Sequence, residues 1–378
     1  MCITDPPLHV LIAGAGIVGL TLAQGCRQNG IRYTLFERDE RKDERPQGWS
    51  LLLHWCLDAL ERTAGPEVVA LLPGATVDPS MTRDEGKFVF LNLHTGIVRA
   101  LIPPMKRRMR LHRQKLREAL LTGVDMQPGK RLETYEKLAD GQVRAHFADG
   151  TTATGSLLVG ADGNNSAVRK CLTTEHELID LGVNILGVVR RLTPEQSEEE
   201  RIPQPDGRDS FTGIMHISWV VQDLVKDAVP TSTQERIAVM KERAQGFAEP
   251  MRNLIMDIPD DHPFVSYLTL RDWPCLPWDN DGGTVTLAGD ACHPMTMFRG
   301  EGANHGILDA ALLVDQLKRV RDGDVSQKEA IEAYEGEMRG RTAEAVLKSR
   351  RAALDGHVWE KITDDCPLLA ARVPPATA

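Results

Sequence analysis

The sequence predicts an α/β fold: a Rossmann-like βαβ unit at the N-terminus, a mixed β-sheet inserted in mid-chain, and helices at the C-terminus. Three observations carry this. The short apolar run Leu8–Ala13 leads directly into Gly14-x-Gly16-x-x-Gly19. Two further short buried-type strands, Ser156–Gly160 and Thr284–Ala288, each run into a Gly/Asp turn. Between them, from about Cys171 to Asp281, the texture changes to longer alternating runs.

In order along the chain, Leu8–Ala13 is long enough for one buried parallel strand. Ile17–Asn29 carries small and apolar residues at helical spacing, and Gly30 stops it. Tyr33–Phe36 reads as a second strand ending on Glu37. Each residue of such a unit has a physical task. Gly14 permits the tight turn, Gly16 lets a pyrophosphate approach the backbone, and Gly19 lets helix and strand pack closely. The helix N-terminus offers unpaired N–H groups and a positive dipole end to phosphates. Glu37, 18 positions after Gly19, is placed to accept hydrogen bonds from ribose hydroxyls. The stretch suits NAD or FAD alike.

A charged loop, Arg38–Gln47, precedes the apolar segment Gly48–Leu53 and a helix over His54–Thr63. Lys87–Leu93 and Ile97–Ile102 flank His94-Thr95-Gly96 as a hairpin. Arg113–Leu121 is an amphipathic helix, and Val143–Phe147 with Thr151–Thr154 form a second hairpin around Asp149-Gly150. Val183–Val189, Ile214–Val221 and Phe264–Leu270 alternate as strands of a separate sheet, interrupted by a polar loop, Thr193–Ser210, and a helix over Thr233–Phe247. Helices Ala303–Arg321 and Ser326–Arg351 close the chain. The organisation predicted is a discontinuous nucleotide-binding domain (1–80, 105–172 and 282–378) with a substrate-binding domain (81–104 and 173–281) inserted in it.

At 378 residues the chain is large enough for two cooperating domains. Hydrophobic residues at 42% and charged residues at 26% place it among ordinary globular proteins, and a net charge of −9 argues against a nucleic-acid partner. The seven cysteines form no CxxC pair and no metal-ligand spacing, so reduced thiols and no metal are expected. The first strand begins at Leu8, no apolar run approaches the ~20 residues that span a bilayer, and the tail Pro367–Ala378 shows no lipidation or retention signal. A cytoplasmic protein without a membrane span is expected.

Two further motifs narrow the chemistry. Gly160-Ala161-Asp162-Gly163 is followed by Ser166 and Arg169. Gly289-Asp290-Ala291-Cys292-His293-Pro294 is followed by Gly300-Glu301-Gly302-Ala303-Asn304 and Asp309-Ala310. A strand ending in Gly-Asp places one carboxylate against sugar hydroxyls, and a glycine-rich loop brings backbone N–H groups against a planar ring at the next helix. Together with the N-terminal unit, these motifs resemble the FAD-dependent aromatic hydroxylases, the single-component flavoprotein monooxygenases of the p-hydroxybenzoate hydroxylase fold. The resemblance runs over nearly the whole chain in order.

The resemblance implies that Gly14, Gly16, Gly19 and Glu37 hold the ADP half of FAD, with Arg38 beside them. Arg113, in Leu111-His112-Arg113-Gln114-Lys115-Leu116, would contact FAD from the start of its helix, and Asp162 belongs to a motif associated with FAD and NAD(P)H. Asp290 would contact the ribityl chain. The loop Pro294–Asn304, with Gly300, Gly302, Ala303 and Asn304, would face the flavin ring, and Arg45 and Gly48–Ser50 would lie beside it. The family commonly has Gln where Glu301 stands and Glu where Leu308 stands; a carboxylate near a flavin that becomes anionic on reduction calls for a partner, for which Arg299 is the candidate.

The chemistry implied is hydroxylation or epoxidation of an apolar aromatic or alkene-bearing small molecule, in secondary metabolism, with NAD(P)H and O₂ as co-substrates and a flavin C4a-hydroperoxide as oxygen donor. A flavin oxidase or dehydrogenase on the same fold is the alternative, and a non-catalytic nucleotide-binding regulator a second. Arg190, at the end of a central-sheet strand, is a candidate for stabilising negative charge in the substrate pocket, against the reading of a solvated strand-end arginine. His216 and Trp219 are candidates to line that pocket, with core packing the competing role for Trp219. His293, beside Asp290, more often marks a structural turn in Gly-Asp-x-x-His-Pro than an acid or base.

Overall fold

The computed structural model describes residues 7–41, 50–77, 88–103, 107–192, 211–249, 251–372 and 374–375. Its centre is a five-stranded sheet of β1 (His9–Ala13), β2 (Arg32–Phe36), β7 (Met126–Gln127), β11 (Leu157–Gly160) and β15 (Val285–Leu287), in the order β15–β11–β1–β2–β7. Every neighbouring pair is parallel. Every residue of β11 and β15 is buried, as expected of parallel strands covered on both faces, which is why these segments read as unbroken apolar runs.

Among the described residues the helices are α1 (Ile17–Gln28), α2 (Leu57–Ala64), α3 (Pro66–Leu71), α4 (Arg113–Leu120), α5 (Ala167–Leu172), α6 (Thr233–Ala244), α7 (Met251–Met256), α8 (Gly302–Arg321) and α9 (Gln327–Asp355). The first βαβ unit forms as the glycine pattern predicts, and α1 packs against α8. The helix expected from His54 starts at Leu57 instead, because the preceding residues form a turn in which the Leu57 N–H donates to the His54 carbonyl at 3.0 Å. The strand expected within Gly48–Leu53 is β3 (Ser50–Leu53), paired antiparallel with β6 (Met109–His112). The first hairpin is β4 (Phe88–Leu91) with β5 (Val98–Ile102). The second, β9 (Val143–Phe147) with β10 (Thr152–Gly155), gains a third strand, β8 (Leu132–Lys137), that the sequence reading missed.

The mid-chain sheet is antiparallel, with β12 (Ile179–Leu192) between β13 (Phe211–Val220) and β14 (Ser266–Asp272). Its two faces are distinct. Leu186 and Val188, with Met215, Ile217 and Trp219 of β13, pack under Ile237, Met240 and Ala244 of α6 and Ile255 of α7. Val183 and Ile185, on the other face, pack with Leu270, Phe298 and Ala353 towards the C-terminal helix. The polar loop expected at Thr193–Ser210 lies outside the described residues. A capping box holds the start of α6, where Ser232 and Glu235 satisfy each other's backbone N–H groups, and Ser326 with Glu329 does the same for α9.

Candidate active site

The C-terminal ends of β1, β2, β11 and β15 open onto a cleft of about 1130 Å³. Gly14, Gly16, Glu37, Arg38, Arg113, Asp162 and Asp290 all line it, so residues far apart in the chain converge as the three motifs require. Gly14 has φ +103°, and a Cβ there would stand 2.5 Å from the Ala161 carbonyl oxygen. Only glycine lets the first loop close against the Asp162 turn. Gly19 lies beneath, where a Cβ would come within 2.0 Å of the Gly14 carbonyl oxygen.

A Cβ on Gly16 would meet nothing within 4 Å. The position is therefore not glycine for internal packing; it leaves backbone bare to the cleft. Gly16 is also the N-cap of α1, and no side chain caps that helix. Its terminal N–H groups, with Arg38, Arg113 and Lys170 on the walls, form a cradle for an anionic phosphate chain. Glu37, expected to contact a ribose, also holds the loop around it. Its carboxylate accepts from the Ala15 N–H at 3.0 Å and the Asp39 N–H at 3.1 Å, and lies 3.9 Å from the buried Arg117 guanidinium.

Asp162 accepts from the Ala167 N–H at 2.7 Å through Oδ2, which anchors α5, while its buried Oδ1 has no partner among the described residues. Asp290 lines the cleft and is exposed to it. Desolvation pushes both carboxyls up, opposed at Asp162 by bonds from Ser166 and Ala167, and at Asp290 by His293 and Arg113. Hydroxyl donors delivered by a ligand relieve that desolvation. Arg169, noted only as a follower of the second motif, joins it to the third. It is fully buried and donates to the carbonyls of Asn164, His176 at 3.2 Å and Ala291 at 2.8 Å.

Behind Asp290 lies a buried network that sequence reasoning did not assemble. Asp309 accepts from the Gly289 N–H at 2.8 Å, His293 Nε2 at 2.5 Å and Arg341 at 2.7 Å. Burial works against charge on both members of the His293–Asp309 pair; each charge overcomes that for the other, raising the His293 pKa and holding Asp309 low, with help from Arg341. His293 is thus spent on fixing the Gly289–Asp290 turn. Cys292, His293 and Asp309 bring one potential ligand atom each within 4.8 Å of one another, and Asp309 there accepts from three donors, two on Oδ2 and one on Oδ1.

The loop expected to face the flavin, Pro294–Asn304, leads into α8. Gly302 begins α8, where a Cβ would stand 3.8 Å from Asp290 Oδ1, and Gly300 precedes it at φ +65°. Ala303 is half-buried in the same first turn. Pro294 is buried and its carbonyl accepts from Trp273 at 3.1 Å. The Asn304 side chain is spent inside the protein, accepting from the His54 N–H at 2.9 Å and donating to the Leu52 carbonyl at 3.0 Å, so it ties β3 to α8. Glu301 does pair with Arg299, at 2.6 Å, with both side chains buried. Arg45 and Gly48 lie outside the described residues.

On the mid-chain sheet, the structure places Arg190 and Trp219 on one side, and Trp219 takes the core-packing role that competed with pocket lining. Both lie on the face covered by α6 and α7, because they share their side of the pleat with Leu186 and Ile217. Arg190 is buried and donates to the Leu254 carbonyl at 2.8 Å; Trp219 lies under the Arg243 guanidinium, 4.1 Å from its ring centre. His216 is on the opposite face. A Cβ on its cross-strand neighbour Gly187 would stand 2.5 Å from His216 Cδ2, so the imidazole lies across a bare stretch of sheet. Desolvation lowers its pKa, which keeps the ring neutral near pH 7.

Removing the Asp290 carboxylate is expected to weaken flavin binding about ten- to a hundredfold, the loss of a charged hydrogen bond. Fluorescence titration of apo-Asp290→Ala with FAD checks this; unchanged affinity would remove Asp290 from the binding set.

A family model described as the FAD binding domain matches residues 89–349. A protein of Arthroderma benhamiae named a probable FAD-dependent monooxygenase is 36% identical, over 98% of this chain and 96% of that one. The FAD-dependent monooxygenase dbaB of Emericella nidulans is 39% identical, over 82% of this chain and 86% of its own length. The crystal structure of Klebsiella pneumoniae HpxO, complexed with FAD and uric acid, superposes with a TM-score of 0.72 at 20% identity, covering 97% of this chain and 92% of that one.

Proposed function

This chain belongs to the FAD-dependent monooxygenases, and from that premise we propose that it consumes NAD(P)H and O₂ to insert one oxygen atom into an apolar aromatic or alkene-bearing small molecule. The observation that carries this is the convergence of Gly16, Asp162 and Asp290 on one cleft, with a bare backbone cradle, an unpartnered buried carboxylate oxygen and a desolvated carboxylate. Those features fit FAD. Bound there, FAD supplies the acceptance of hydride and the activation of O₂.

The α1 N-terminus and Gly16 would hold the pyrophosphate, Glu37 the ribose, and Asp290 the ribityl hydroxyls. Residues 1–80, 105–172 and 282–378 would form the FAD-binding part, and 81–104 with 173–281 the part that meets substrate. His216 is the substrate-side residue we favour, because its ring lies over Gly187 on the sheet face that runs towards Phe298. A neutral imidazole both accepts from and donates to a substrate hydroxyl without bringing a charge into an apolar pocket. His216→Ala is expected to raise KM about tenfold or more with FAD content unchanged; an unchanged KM would place His216 outside the pocket.

The chain carries one Gly-x-Gly-x-x-Gly unit, which FAD would occupy, so NAD(P)H is expected to bind transiently at the flavin rather than in a domain of its own. The test is NAD(P)H consumption by the FAD-loaded enzyme with and without a panel of phenols and polycyclic aromatics. Slow consumption alone, accelerated by a substrate, supports the reading. Substrate oxidation with no need of NAD(P)H would make the protein an oxidase.

A further inference from the structure

The buried pair at the start of α8 is held from outside the flavin loop. The segment after α9 folds back as a strap in which Ile362, Cys366 and Leu368 pack with Ala352 under Phe298. Arg299 donates Nε to Glu301 at 2.6 Å and a terminal nitrogen to the Pro367 carbonyl. From the strap, Arg372 donates to the Arg299 carbonyl at 3.1 Å, and to the Leu368 carbonyl at 3.1 Å. Glu301 is the N-cap residue of α8, yet its side chain makes no cap bond, is buried, and does not line the cleft, although a Cβ on its neighbour Gly302 would stand 3.8 Å from Asp290 Oδ1.

A carboxylate at that position opposes the positive helix end and any anion that the end stabilises. Arg299 removes the conflict: its guanidinium draws Glu301 off the helix end and cancels its charge in a water-poor site, where an unpaired charge acts strongly. The strap carbonyl of Pro367 then fixes the guanidinium. Burial and the like charge of Arg299 push the Arg372 pKa down, while Glu301 raises it, so the three side chains form one electrostatic unit.

We propose that Arg299, held by the C-terminal strap, sets the charge that the α8 N-terminus presents to the flavin by neutralising Glu301, and so fixes the flavin reduction potential. This rests on the FAD reading above. Reduction makes the flavin anionic, so an unopposed Arg299 favours the reduced form and an unopposed Glu301 the oxidised form. Both residues are positioning residues; neither is assigned a contact with substrate.

The experiment is the reduction potential of the FAD-loaded protein, measured by equilibration with a reference dye, for wild type, Glu301→Gln, Arg299→Met and the double variant. Glu301→Gln is expected to shift the flavin equilibrium towards the reduced form by more than tenfold, about 30 mV for a two-electron couple. The double variant is expected within threefold of wild type, and Arg299→Met, where it folds, shifted the opposite way. Because Glu301→Gln and the double variant leave no buried carboxylate unpaired, they carry the test if Arg299→Met does not fold. Equal potentials in wild type and Glu301→Gln, both with FAD bound, would overturn the proposal. Wild type that takes up no FAD would overturn the parent reading, and this one with it.

Discussion

Gly19→Val is expected to yield protein that takes up no FAD and unfolds at distinctly lower denaturant concentration than wild type. A Cβ at position 19 would stand 2.0 Å from the Gly14 carbonyl oxygen and 3.3 Å from Ala161 Cβ. The first contact is with backbone and offers no flexible side chain to move aside. Relief requires α1 to lift off the glycine loop, which also shifts the Ala15 N–H away from Glu37. Overpacking of this kind costs about 1–3 kcal/mol, and more where backbone must move. Valine adds two methyl groups to the same clash. Urea denaturation and FAD content of the purified protein check both parts; a variant that keeps FAD at wild-type stability would show that α1 and the glycine loop are not in close contact.

Asp309→Ala is expected to cost about 3–5 kcal/mol, the penalty for leaving buried charges without their partner. It strips His293 and Arg341 of their shared carboxylate and leaves the Gly289 N–H unsatisfied, so the Gly289–Asp290 turn loses its support and FAD affinity falls too. The same network gives wild-type stability a pH signature. The folded pKa of His293 is raised above 6.5, so its contribution is fully present below 6.5 and is lost as pH rises through the raised value. The folded pKa of Asp309 is lowered from 3.8, so its contribution is present above 3.8 and is lost only as pH falls through the lower value. Wild-type stability is therefore expected to decline on the alkaline side of 6.5, and Asp309→Asn to lose that slope. Chemical denaturation across the pH range measures it; an identical alkaline slope in both proteins would contradict the network.

Those two predictions also separate what the sequence discloses from what it hides. The β1–α1–β2 unit is legible because its determinants are local: three glycines, an apolar run and one acid within 30 residues of Leu8. Asp162 and Asp290 are legible because each follows a short apolar strand directly. The Asp309 network is not, since Arg341 joins it from a helix that no local pattern connects with His293. The two faces of the mid-chain sheet show a different limit. Alternation sorts β12 and β13 into two faces, but only tertiary packing decides which face α6 and α7 cover. The strand β8 escaped notice because LETYEK is polar and mostly exposed, and its pairing with β9 comes from outside the segment. Glu301 is the reverse case: its departure from the family pattern pointed to a partner, and Arg299 stands 2.6 Å away.

FAD in this cleft is expected to direct one atom of O₂ into an organic substrate. Turnover under ¹⁸O₂ with NAD(P)H and an accelerating aromatic substrate, followed by mass analysis of the product, tests it most directly. One ¹⁸O atom per product molecule is predicted, with hydrogen peroxide well below product. Unlabelled product formed with an equal amount of hydrogen peroxide would contradict the claim.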